Sequence, residues 1–242
     1  MTMAQRSPEQ ELIRAVIRGD AIAVQELLDL GVDASTTGGV TPLGASNTAL
    51  MWAASEGYLS IFKLLLDRGS DLNAKNSAGY TTLMFAAESD RRDIVLALLD
   101  HPSLDQGSLC DRNSYQETVL MAIAKQGQTD IVQRLVKMGA EINAVNKLGD
   151  TALYLAADRG HLYAVKALCE LGADVNTANR GGWTPLMMAS ALAHLEIMEI
   201  LLKYKADYSP RNNWNGSALS EARKSIRANQ AVEILLRAGA TE

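Results

Sequence analysis

Residues Asn146–Thr177 read NKLGDTALYLAADRGHLYAVKALCELGADVNT. The opening Asn146-Lys147-Leu148-Gly149-Asp150 is polar and places a glycine where a turn needs positive φ. Thr151 stands immediately before an apolar run, where its side-chain oxygen can cap the free N–H groups of a helix start. Leu153, Ala156 and Ala157 share one helical face at spacings of three and four, and the small alanines allow a neighbouring helix to approach closely. Gly160 predicts the end of this first helix. A second apolar set, Leu162, Val165 and Leu168, leads to Gly172, a residue suited to the left-handed position after a helix end. Helices of about ten residues do not persist alone in water. Such a unit has to stack on copies of itself.

The copies are present. Leu153 recurs as Leu50, Leu83, Leu120, Leu186 and Leu219, at successive steps of 33, 37, 33, 33 and 33 residues. The helix-opening position reads Thr48, Thr81, Thr118, Thr151, Thr184 and Ser217, each able to cap. The loop after the second helix reads GSDLNA from Gly69, GAEINA from Gly139 and GADVNT from Gly172. On these residues the chain resembles the ankyrin repeat family, whose signature is a 33-residue turn–helix–helix unit with a Thr-Pro-Leu-His-x-Ala core. The resemblance extends from about Pro8 to Ala240 and implies an all-α ankyrin-repeat solenoid of stacked helix–turn–helix units with short hairpin-like connecting loops. One domain is expected over residues 1–242. It divides into an N-terminal capping repeat plus loop (8–42), inner repeats at 43–75, 76–112, 113–145, 146–178 and 179–211, and a C-terminal capping repeat (212–242).

The terminal units differ as caps should. Ser7-Pro8-Glu9-Gln10 carries a cap, a first-turn proline and a capping-box partner, and Leu12 holds the repeat leucine position. In the last unit Arg223 stands where the inner repeats have Ala54, Ala87 and Ala157, so it blocks a further stacked repeat. Two steps are long. The first excess falls in residues 35–47, STTGGVTPLGASN, where Thr41-Pro42-Leu43 imitates the family motif without the helix that should follow; a long hairpin or loop is expected. The second falls in residues 101–113, HPSLDQGSLCDRN, where Pro102 should end the preceding helix early. Additions on such connections are tolerated and sometimes bind.

Composition bounds the function. Apolar residues make up 48% and charged residues 21%, as in a globular protein, and aromatics are scarce at 5%. A net charge of −5 lacks the basic footprint of a nonspecific nucleic-acid binder, and acids and bases alternate along the sequence of the expected binding side. The opening MTMAQRSPEQ has no apolar signal core, and no run approaches membrane-spanning length. A cytoplasmic monomer with no membrane association and no cofactor is expected; a mature form with its signal removed would instead be periplasmic or secreted. Cys169 replaces a helix leucine or valine and is expected to be buried, whereas Cys110 lies in a loop; both are read as free thiols.

No pattern of catalysis stands out. HExxH, paired CxxC and Gly-x-Ser-x-Gly are missing. His161 and His194 are 33 residues apart at one repeat position, which marks a structural corner rather than a metal pair; His101 sits beside Pro102. The Gly38-Gly39 pair lacks the lysine of a phosphate loop, and Asn215-Gly216-Ser217 reads as turn plus cap rather than a glycosylation site. The family histidine is replaced throughout, by Met51, Met84, Met121, Tyr154, Met187 and Ser220, and only Pro185 keeps the proline; methionine here predicts core filling.

The resemblance implies non-enzymatic protein–protein recognition on a concave face built from hairpin tips and first-helix edges, as a scaffold or adaptor; an inhibitor or immunity-type regulator that blocks a partner enzyme such as a hydrolase is the alternative. Carried over by phase, the partner-binding candidates are Tyr80, Glu88, Tyr115, Glu117, Lys147, Leu148, Asp150, Asp158, Arg159, Arg180, Trp183 and Trp214. Aromatic anchors with a charged rim are the usual make-up of interface hot spots.

Overall fold

The structure, a computed structural model, describes residues 7–40 and 46–241. The chain forms two compact units, one ending at Ser114 and the other beginning at Tyr115. In the first, α1 (Pro8–Arg18) and α2 (Ala21–Asp29) are followed by strands β1 (Thr37–Val40) and β2 (Ser46–Thr48). The helix pairs α3 (Ala49–Glu56) with α4 (Leu59–Asp67), and α5 (Thr82–Glu88) with α6 (Arg92–Leu99), complete it, with a 3₁₀ turn at Gln106–Cys110. The second unit holds four helix pairs. These are α7 (Val119–Gln126) with α8 (Thr129–Lys137), α9 (Ala152–Asp158) with α10 (Leu162–Glu170), α11 (Pro185–Ala191) with α12 (Leu195–Lys203), and α13 (Ala218–Lys224) with α14 (Ala228–Arg237). Within each unit every helix packs on its hairpin mate and on its counterpart in the adjoining pair, the arrangement expected from the repeat.

Local chemistry starts each helix where the phase predicts. Thr48, Thr81, Thr118, Thr151, Thr184 and Ser217 each accept a hydrogen bond from the backbone N–H three residues on. Ser7 and Gln10 form the reciprocal capping box, with Pro8 in the first turn. The repeat leucines, Leu12 included, are buried. So are Met51, Met84, Met121 and Met187, with Tyr154 in the same place, so the position left by the family histidine is filled by core packing. Burial, and then the charges of Asp150 and Asp158, push the Tyr154 phenol above its ordinary range.

The corners between paired helices follow one rule. The residue that begins the second helix lays its side chain over the corner glycine of the preceding pair: Arg91 over Gly57, His161 over Gly127, His194 over Gly160. His161 Nε2 also lies 3.0 Å from the Lys125 carbonyl oxygen, so both repeat-phased histidines are corner pieces.

Both insertions are structured where described. The first is an antiparallel hairpin, Thr37 opposite Thr48 and Gly38 opposite Asn47, with a bulge before Val40; Trp52 Nε1 donates to the Gly38 carbonyl at 2.7 Å. Thr41-Pro42-Leu43 lies outside the described residues. In the second, Asn73 accepts from Asp105 N (3.0 Å) and donates to Ser103 O (2.9 Å), and the 3₁₀ turn buries Leu109. The helix before Pro102 is one residue shorter than its nine-residue counterparts, as its proline predicts.

Candidate functional site

The turns between helix pairs are built on asparagines that are buried or, at Asn179, half-buried. In the second unit Asn146 Oδ1 accepts from Leu148 N and Asp150 N, Asn179 Oδ1 from Gly181 N and Trp183 N, and Asn212 Oδ1 from Trp214 N and Gly216 N, all at 2.8–3.0 Å. Asn76 does the same for Ala78 and Tyr80 in the first unit. A second set of bonds ties each turn to the next: Lys147 N donates to Tyr115 O (2.9 Å), Arg180 N to Leu148 O (2.8 Å) and Asn213 N to Gly181 O (2.9 Å). Sequence reading passed over this asparagine series. Its signal was the phase, since Asn113, Asn146, Asn179 and Asn212 recur at the 33-residue step.

The bonding sorts the candidate residues into two registers. Five residues before the repeat leucine come Tyr115, Leu148, Gly181 and Trp214, at the apex of each turn. The three side chains there are exposed, by 46%, 66% and 73% respectively. Three residues before the leucine come Tyr80, Glu117, Asp150 and Trp183, and these are buried or half-buried.

Two expectations need correction. Tyr80 is only 9% exposed and packs on Phe85 with ring centroids 5.1 Å apart. Asp150 is 5% exposed, and its carboxylate accepts from Asn179 Nδ2 at 2.8 Å and from Asn146 Nδ2 at 3.4 Å. Both are pieces of the turn scaffold. Glu117 and Trp183 are half-buried.

The remaining candidates of the second unit lie on its turns and at the ends of its first helices. Lys147 and Arg180 precede the apex residues and are exposed. Trp183 and Trp214 gather around Gly181, where an added Cβ would lie 3.1 Å from Trp183 Cδ1 and 3.4 Å from Trp214 Cζ3. Arg159 is exposed at the end of its first helix, 3.7 Å from the half-buried Asp158. Glu88, exposed at the end of α5, belongs to the first unit.

Among the described residues no group of three or more His, Cys, Asp or Glu side chains is placed to hold a metal ion. No helix of the described residues is long and apolar enough to cross a membrane.

Comparison with known proteins agrees with the fold. The ankyrin-repeat family model of three copies matches residues 12–108 and 103–179, and the single-repeat model matches 181–213. Among solved structures, the human ASB11 ankyrin repeat domain is 27% identical with a TM-score of 0.73, covering 98% of this chain and 100% of that one. The ankyrin repeat domain of Bcl-3, of the IkappaB family, is 28% identical with a TM-score of 0.71, covering 93% and 97%. A relative in Oryza sativa subsp. japonica, the probable E3 ubiquitin-protein ligase XBOS33, is 34% identical over 90 residues, which are 37% of this chain and 17% of that protein. The transient receptor potential cation channel subfamily A member 1 homolog of Caenorhabditis elegans is 30% identical over 149 residues, 62% of this chain and 12% of that protein. The chain thus spans less than a fifth of the length of these two relatives.

Proposed function

The chain belongs to the ankyrin repeat family, and from that premise we propose that it is a non-enzymatic recognition module that binds a partner protein through the turn apices of its second unit. Ankyrin repeat domains typically mediate protein–protein interaction and are generally non-catalytic. The observation that carries the reading is the exposed series Tyr115, Leu148 and Trp214, three large side chains at one repeat position on turns held by backbone hydrogen bonds. At the same position Gly181 keeps the turn-to-turn backbone bond, accepting from Asn213 N, with no side chain. Rigid apolar anchors with charged neighbours suit a hot spot, because little conformational entropy is lost when they are covered. Lys147, Arg180, Trp183 and Arg159 accompany the series on the turns and first helices of this unit, and Asp158 and Glu117 complete its charged residues. A scaffold or adaptor role follows most directly, because the surface is a row of apices.

The test compares wild-type protein with a Tyr115→Ser/Leu148→Ser/Trp214→Ser variant in affinity capture, followed by titration of the captured partner. The expected result is a partner held by the wild type and weakened at least tenfold by the triple variant, with unchanged helical circular dichroism. A partner held equally by both would remove the apices from the site and turn attention to the insertions at 35–47 and 101–113.

A further inference from the structure

Exposed carboxylates in the second unit are kept off its turns and first helices, whereas exposed cations occur on both these and the second helices. In its turn and first-helix segments (115–126, 146–159, 179–192 and 212–224) the acids are Glu117, Asp150, Asp158 and Glu221, and every one is buried or half-buried. Every cation there is exposed: Lys125, Lys147, Arg159, Arg180, Arg223 and Lys224. Two of the acids are consumed by the fold, Asp150 by Asn179 and Asn146, and Glu221 by Lys224 at 2.9 Å. The exposed carboxylates of this unit, Glu170, Asp174, Glu196 and Glu199 among them, all lie in the second helices and return loops. A chain of net charge −5 therefore shows cations on the side that carries Tyr115, Leu148 and Trp214.

We propose that this side takes an acidic segment of a partner protein in which carboxylates alternate with large apolar side chains. The inference rests on the proposed function and names the chemistry of its partner. Apolar side chains of the segment lie against Tyr115, Leu148 and Trp214, while its carboxylates meet Lys147, Arg180 and Lys125. Exposed cations of this kind speed encounter and reject cationic competitors, and the apolar anchors supply the holding contacts. A single-stranded nucleic acid would also meet cations and aromatics, but it needs stacking platforms and a dense phosphate track. Leu148 offers no ring to stack on, and Glu117 and Asp158 remain half-exposed among the cations, both unfavourable to phosphates.

The probe is a fluorescein-labelled peptide of alternating Asp/Glu and Leu/Phe, titrated by anisotropy against the full chain. Control probes are the same peptide with Asn/Gln for the acids, the same peptide with Ser for Leu/Phe, and labelled oligothymidine. The expected result is that only the acidic-apolar peptide binds well, and that Lys147→Glu/Arg180→Glu weakens it by about tenfold or more. Equal binding of the Asn/Gln peptide would overturn the proposal, and tighter binding of oligothymidine would replace it with nucleic-acid recognition. The captured partner separates the two readings. If it is lost from the apolar triple variant yet untouched by the charge reversal, the apices bind and the acidic segment is wrong; if neither variant affects it, both fall.

Discussion

Lys205 occupies a position that favours glycine. It follows helix α12 with φ +64, and its N–H and that of Ala206 close onto Leu202 and Leu201 carbonyls. The same position in the preceding repeats is Gly139 and Gly172, both with positive φ. A left-handed non-glycine residue costs about 1–2 kcal/mol, and glycine's greater unfolded-state entropy returns about 0.5–1 of it. Lys205→Gly is therefore expected to stabilise the chain by about 0.5–1 kcal/mol, read as a raised urea midpoint at unchanged slope. The cysteines make a second contrast at this scale. Burial, with Glu170 adding to it, pushes the Cys169 thiol up to about 11 from an ordinary 9.0. The folded state thus holds a proton that the unfolded chain releases. This contribution is complete below pH 9 and is lost as pH rises toward 11, at up to about 1.4 kcal/mol per pH unit. Cys169→Ala should flatten that alkaline decline in urea titrations. At about pH 8 a thiol reagent should label the exposed Cys110 in the folded chain and reach Cys169 only after unfolding.

At the scale of the element, the corner between paired helices decides how closely the pairs sit. Gly127 has φ +73, and an added Cβ would lie 2.5 Å from His161 Nδ1. Gly172 has φ +89 with nothing within 4 Å. Gly172→Ala should then cost about 1 kcal/mol from backbone strain alone. Gly127→Ala should cost about 1 kcal/mol more, because His161 must leave the Lys125 carbonyl. Equal losses in equilibrium urea unfolding would show that the stacked imidazole contributes nothing. The last repeat puts the β-branched Ile226 at this corner, outside the left-handed region. Ser225 turns extended instead (φ −74, ψ 161), and Ile226 points to solvent. Helix starts were legible in sequence because a cap acts over three residues. The first insertion was legible as a hairpin or loop and the 3₁₀ turn at Gln106–Cys110 only as extra length, since each is fixed by a distant group, Trp52 in one case and Asn73 in the other.

At the scale of the molecule, the sorting of charge in the second unit governs how a partner is met. Binding through exposed cations weakens with ionic strength, because screening sets in beyond about 8–10 Å at physiological salt. The acidic-apolar peptide should therefore lose affinity on raising salt, and the Lys147→Glu/Arg180→Glu variant should show little further dependence. The sequence by itself determined the repeat, its phase, the caps, the corner histidines and the methionines of the core. Each follows from a local pattern restated at a fixed step, and stacking requires little more than that pattern. Only the tertiary structure decided which turn register faces outward. Tyr115, Leu148 and Trp214 stand clear while Tyr80 and Asp150 are covered, and alternating acids and bases become a surface of exposed cations. Those outcomes depend on groups one repeat away or across a turn, as when Asn179 reaches back to hold the carboxylate of Asp150. A carboxylate so held is withdrawn from water by its neighbour, and no reading of its own segment could reveal that.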